Sequence, residues 1–167
     1  METLSQVFQV LNELESDGVL EDYAIAGAMA FLFYIEPVRT YDLDVFVFLP
    51  QQNSLIFSMD PLYSELRKRG YSFDAEHVTI HGTPVQFLPA YNALAEEAIR
   101  CALTKDYQGI PVSVVGPEHL VAIAYQTGGG HRISRAEDLL HSGIVDAAML
   151  AAILNAHGLT HRQLGDV

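Results

Sequence analysis

The sequence predicts a single α/β domain. Three observations carry that prediction. The chain has 167 residues, 50% of them hydrophobic, which is enough for one sizeable core. Runs with helical spacing alternate with β-branched and aromatic runs, and the C-terminal third is helical in period almost throughout. The expected layout is one domain over 1–167, with a sheet-containing core at 1–115 and a helical part at 116–167.

Taken in order, Leu4, Val7, Phe8, Val10, Leu11 and Leu14 recur at helical spacing until Ser16-Asp17-Gly18 stops the pattern. The Ala-rich stretch Ala28 to Ile35 after Gly27 reads as a short buried helix ending before Pro37. Tyr41 to Leu49 is β-branched and aromatic and reads as a central strand. Pro61 to Gly70 reads as a helix, with Arg67, Lys68 and Arg69 where cations suit the helix dipole. Glu76 to Ile80 and Pro84 to Leu88 form a hairpin about His81-Gly82-Thr83. Helices are expected over Asn92 to Leu103 and Pro117 to Gln126, with a short strand Val112 to Val115 between them. Arg132 to His141 and Asp146 to His157 are the last two helices, a helical hairpin joined at Ser142-Gly143, and Thr127 to Gly130 is the loosest linker.

Composition limits the partners. A net charge of −12, from 21 acidic and 9 basic residues, repels a phosphate backbone and argues against long nucleic acid. The longest apolar run, Tyr23 to Ile35, has 13 residues, short of the roughly 18–20 that span a bilayer, so no membrane is expected. The lone Cys101 forms no internal disulfide, reads as a small buried helix residue, and together with an N-terminus unlike a signal peptide suits the cytoplasm. The high apolar content leaves room for a self-association surface and a homodimer. The seven histidines are scattered without ligand spacing.

Chemistry concentrates at Asp42 and Asp44. Flanking Leu43 on a strand, they project from one face and lie close enough to share a hard cation. Two solvated aspartates on a polar edge strand are the alternative, but Val45-Phe46-Val47-Phe48 makes the strand look buried. Buried like charges need compensation, and a cation is the simplest form of it.

Gly27, a short helix, and then Thr40-Tyr41-Asp42-Leu43-Asp44-Val45 resemble, in order and spacing, the core signature of the polymerase-β-like nucleotidyltransferase superfamily. Ile25 to Val47, Gln86-Phe87-Leu88-Pro89-Ala90 and the helical tail are similar to bacterial toxin-type nucleotidyltransferases of abortive-infection systems and their uncharacterised relatives. The resemblance implies a mixed β-sheet flanked by helices, with a C-terminal helical hairpin. It also implies a nucleoside triphosphate held at Gly27 and Ala28, Mg²⁺ held by Asp42 and Asp44, transfer of a nucleoside monophosphate to an unidentified hydroxyl acceptor, and, for a toxin, a partner protein. Basic residues of the downstream helical region are expected to face the phosphates, which points to His131, Arg132 and Arg135, Arg132 being the nucleotide-binding candidate. Backbone N–H groups near Gly27 and Ala28 would form the anion site beside the cation, so the physical reading agrees with the carried-over one. Arg39, three residues before Asp42, either pairs with an acidic neighbour or contacts substrate.

The pattern departs from the family in two places. Ala28 replaces a second glycine or serine, removing a hydroxyl contact. Gln86 stands where a third carboxylate is expected, and an amide cannot act as a base. His77, placed near Gln86 by the hairpin, ranks first among substitutes, ahead of Asp74 and Glu76; it is otherwise a half-buried strand histidine. Gly128-Gly129-Gly130 reads as a helix-to-helix link in preference to a phosphate nest. Two functions stay open: a Mg²⁺-dependent nucleotidyltransferase, and a catalytically degenerate relative that binds a nucleotide or a protein.

Overall fold

The computed structural model describes residues 2–35, 40–50 and 58–160. The elements run α1 (Glu2–Ser16), β1 (Asp22–Ile25), α2 (Gly27–Phe31), β2 (Leu43–Phe48), α3 (Asp60–Lys68), β3 (Ser72–Asp74), β4 (His77–Ile80), β5 (Thr83–Pro89), α4 (Ala93–Arg100), β6 (Leu103–Tyr107), β7 (Ile110–Val114), α5 (Pro117–Thr127), α6 (Gly130–His141) and α7 (Ala147–Ala156). The strands form one mixed sheet in the order β3-β4-β5-β2-β1-β7-β6. β2 lies antiparallel to β1 and parallel to β5, and β1 is parallel to β7.

The two central strands explain the flanking helices. Tyr23, Ala24 and Ile25 of β1 and Val45, Phe46 and Val47 of β2 are all buried, so successive side chains pointing to opposite faces both meet protein. α1 packs on β1, β5 and β7 through Val7, Phe8, Leu11 and Leu14, while α2 and α4 pack on β2 and meet α5. α6 and α7 each pack on α5, completing the helical C-terminal part.

Three strands escaped the sequence reading. β1 belongs to an apolar run whose four strand residues, nearly all buried, show no alternation, so periodicity cannot separate it from the α2 that follows. β3 has three residues and only a partner strand to define it. β6 lies in a stretch for which no element is expected and meets the expected helix only at Leu103: α4 stops at Arg100, and Leu103 begins an edge strand paired with β7 about the two-residue Gln108-Gly109 turn. Cys101, expected to be buried on a helix, is instead exposed at the C-cap of α4. α2 is also shorter than expected: its helix ends at Phe31 and turns follow to Ile35.

The β4–β5 hairpin forms as expected. His81 (φ 46°) and Gly82 (φ 81°) are both left-handed, the geometry of a two-residue turn that matches strand twist. Among the described residues, no helix is long and apolar enough to cross a membrane.

Candidate functional site

The site is built where β1 ends and β2 begins. Ala26 N–H donates to the Asp44 carbonyl at 2.9 Å, which fixes the loop after β1 against the start of β2. The next residue, Gly27, has φ +56°, and a Cβ there would lie 2.0 Å from Asp44 Oδ2. Both its conformation and the contact therefore require glycine. Asp42 stands in the bend just ahead of β2, where Thr40 Oγ1 lies 3.0 Å from both its carbonyl oxygen and its Oδ1.

The two carboxylates differ in surroundings. Asp44 is held above the ordinary aspartate range, first by burial and next by the Asp42 charge, with Arg132 and His77 pulling the other way. Asp42 is about half exposed, and its Oδ2 lies 3.9 Å from His77 Nε2, too far for a hydrogen bond. Parallel pairing sets Asp44 beside Gln86 of β5, and Gln86 Nε2 donates to Glu76 Oε2 at 3.0 Å.

Asp42 and Asp44 open onto a cavity of about 500 Å³ whose lining also includes Gly27, Ala28, His131, Arg132 and Arg135. The metal and nucleotide candidates of the sequence that are described thus line one space, whereas His77, Asp74, Glu76 and Gln86 are not part of its lining; Arg39 lies outside the described residues. The glycine run, read as a link, is part of the wall: Gly129 and Gly130 line the cavity, and Gly129 caps the start of α6, so the positive end of a 12-residue helix and Arg132 arrive together. α2, by comparison, has five residues and a correspondingly small dipole.

The sequence reading missed the apolar floor of Phe31, Phe46, Leu120, Ile123 and Ala124, since nothing in periodicity separates a cavity-facing apolar side chain from a core one. It also missed Tyr41, which lines the cavity with 85% of its surface exposed. Among the described residues no group of three or more His, Cys, Asp or Glu side chains is arranged to hold a metal.

A second titratable cluster lies apart from the cavity lining. His119 Nε2 and His157 Nε2 approach the two oxygens of Glu97 at 3.1 and 2.7 Å, joining α5 and α7 to α4. The Glu97 carboxyl is held below its ordinary range, first by the His157 hydrogen bond. Two of the histidines read as scattered thus share one partner.

No family model matches the sequence, and no curated protein matches it. Solved structures do match. An antigenic nucleotidyltransferase-like protein from Paracoccidioides brasiliensis aligns with a TM-score of 0.59 and 19% identity over 93% of this chain and 87% of that one. The antibiotic-resistance factor ANT(2'')-Ia aligns in its solution structure with a TM-score of 0.54 and 14% identity, over 92% of this chain and 90% of that one. In its crystal structure with adenylyl-2''-tobramycin the TM-score is 0.57 at 13% identity, over 93% of this chain and 97% of that one. At such identities the likeness is one of fold, and the fold of this chain, a seven-stranded mixed sheet flanked by helices, is that of nucleotidyltransferase-like proteins.

Proposed function

We propose that this chain is a Mg²⁺-dependent nucleotidyltransferase that moves a nucleoside monophosphate from a nucleoside triphosphate to a hydroxyl acceptor. The observation that carries the reading is the meeting of Asp42 and Asp44 with Arg132 in one cavity of about 500 Å³, a volume suited to a nucleotide. The fold neighbour bound to adenylyl-2''-tobramycin supports it by analogy of scaffold, which is weaker than the site itself.

The donor set suits Mg²⁺. Asp42 and Asp44 offer hard oxygens at the cavity wall, and burial, with the Asp42 charge beside it, holds Asp44 above its ordinary range. Magnesium commonly takes one or two carboxylates and completes its shell with water and substrate phosphates. When bound, it would offset charge developing on the phosphates.

The remaining work belongs to the chain. Gly27, lacking a side chain, lets Asp44 sit against the backbone at the cavity wall. Arg132 and the start of α6 would receive the outer phosphates, where a guanidinium and helix N–H groups both favour negative charge. Phe46, Leu120, Ile123 and Ala124 would take the apolar faces of the base and exclude water from that end. The acceptor oxygen then bonds to the α-phosphorus, the bond from phosphorus to the bridging oxygen breaks, and pyrophosphate departs on the Arg132 side. Positioning and electrostatics supply most of the acceleration in such a transfer. Within the superfamily, the sequence resemblance favours the toxin-type group and hence a partner protein.

A second reading, a degenerate relative that binds without turnover, is favoured by the neutral Gln86 beside Asp44. Isothermal titration with each nucleoside triphosphate and Mg²⁺ tests the first. Binding should require both Mg²⁺ and Asp44, and Arg132→Ala should weaken it by about tenfold, as loss of a charge-assisted contact does. A wild-type chain that binds no nucleotide would refute the proposal, and Mg²⁺-dependent binding without pyrophosphate release would select the second reading.

A further inference from the structure

We propose that Glu76 takes the proton of the attacking hydroxyl and that Gln86 is the residue that positions it. The inference rests on the nucleotidyltransferase reading. A hydroxyl that forms a bond to phosphorus must lose its proton to a group within reach. Asp42 and Asp44 are occupied with the cation in that reading. Gln86, the neighbour of Asp44 across the β2–β5 pairing, is an amide and has no basic atom to offer. The ring of His77 stands 3.9 Å from Asp42, too far for a hydrogen bond to hold it there.

Glu76 differs in being held. It occupies a two-residue turn between β3 and β4, closed by the pairing of Asp74 with His77, and Ala75 beside it is left-handed with φ 50°. Its Oε2 accepts from Gln86 Nε2 at 3.0 Å, which ties the carboxylate to the strand position next to Asp44 and, among the described residues, leaves Oε1 for a proton. The amide at position 86 is informative for the same reason. A carboxylate there would be a third like charge beside two that already oppose one another, and it would lack the N–H that holds Glu76. The charge sits instead on an exposed turn beyond β4, the strand next to β5.

In the transfer, the acceptor O–H gives its proton to Glu76 Oε1 as the oxygen lone pair forms the bond to the α-phosphorus. The pair from the broken bridging bond leaves with pyrophosphate, and Glu76 returns the proton to solvent.

The test follows Mg·ATP affinity by titration and pyrophosphate release with water as acceptor, in wild type, Glu76→Gln, Gln86→Leu and the exchanged pair Glu76→Gln with Gln86→Glu, each checked for an unchanged melting temperature. Glu76→Gln should keep its affinity within about threefold and lose about 100-fold in turnover, the size of a general-base contribution. Gln86→Leu should lose about tenfold in turnover at unchanged affinity, and the exchanged pair should regain at least about tenfold over Glu76→Gln. Wild-type turnover in Glu76→Gln would overturn the inference and leave the function standing, as would a loss of affinity in that variant, which would make Glu76 a binding group. A wild type that binds Mg·ATP and releases no pyrophosphate overturns the inference and selects the binding module; a wild type that binds none overturns both.

Discussion

Glu97 and Asp44 are both partly buried carboxylates, and the fold treats them in opposite ways. Each Glu97 oxygen has a histidine nitrogen within 3.1 Å, and its acidity is strengthened. Asp44 is partly buried beside Asp42, and burial first and the Asp42 charge next weaken its acidity against the opposing pull of Arg132. One carboxylate clasps three helices; the other lines a cavity. A perturbed ionisable group in a cleft is the kind of position at which binding sites are found, which is why the two carboxylates invite opposite tests.

The comparison breaks most sharply at Gly27. Gly27→Ala pushes a methyl into Asp44 Oδ2 at a left-handed backbone position, and should cost at least about 100-fold in Mg²⁺-dependent nucleotide affinity by titration. Glu97→Ala should do the reverse. It leaves the buried His119 Nε2 without its acceptor and should lower stability by about 1–3 kcal/mol in denaturant unfolding, with nucleotide affinity unchanged. Tyr41→Ala removes an exposed ring from the cavity lip and should weaken nucleotide binding by about tenfold, the scale of one lost base stack, while inorganic tripolyphosphate with Mg²⁺ binds as before.

The smallest effect sharpens the contrast in charge. Folding raises the Asp44 pKa, so the native state holds the proton more tightly; the stability this contributes is present below the ordinary aspartate value and lost as pH rises through the folded value. Asp44→Asn removes that loss and should raise the melting temperature at neutral pH by about 2–4 °C, the shift that about 1 kcal/mol produces in a chain of this size, even as nucleotide binding disappears. The gain should fade in acid. Glu97 has the opposite sign: its contribution is present above the ordinary glutamate value and lost as pH falls through the lowered one, so Glu97→Gln should narrow the difference in stability between neutral and acid pH.

Much of this was legible in the sequence because it is local. Asp42, Asp44 and Gly27 sit within one short stretch, and a spacing of two on a strand start fixes the aspartate geometry before any tertiary contact is known. The His81-Gly82 turn likewise announces its hairpin. What was not legible depends on long-range partners. Glu97, His119 and His157 are separated by 22 and 38 residues, and only the packing of α4, α5 and α7 joins them. Hairpin register sets His77 near Gln86, but it does not give the reach of Glu76 from a turn to the Gln86 amide. β1 and β6 were missed because a fully buried strand and an exposed edge strand both lack the half-buried alternation that sequence patterns detect.

The pairing of β1 with β7 has a consequence in time. Ile25 meets Val114 across most of the chain, whereas β3–β4, β4–β5 and β6–β7 each close through a turn of two residues. Local hairpins form in microseconds, and contacts between distant segments wait for the entropy of a long loop to be overcome. The wall that carries Arg132 follows β7 directly through α5. A newly made chain can therefore bring Gly27 against Asp44 early, yet it has no enclosed cavity until its C-terminal helices have emerged and docked, so the ability to bind should be among the last properties the molecule gains as it folds.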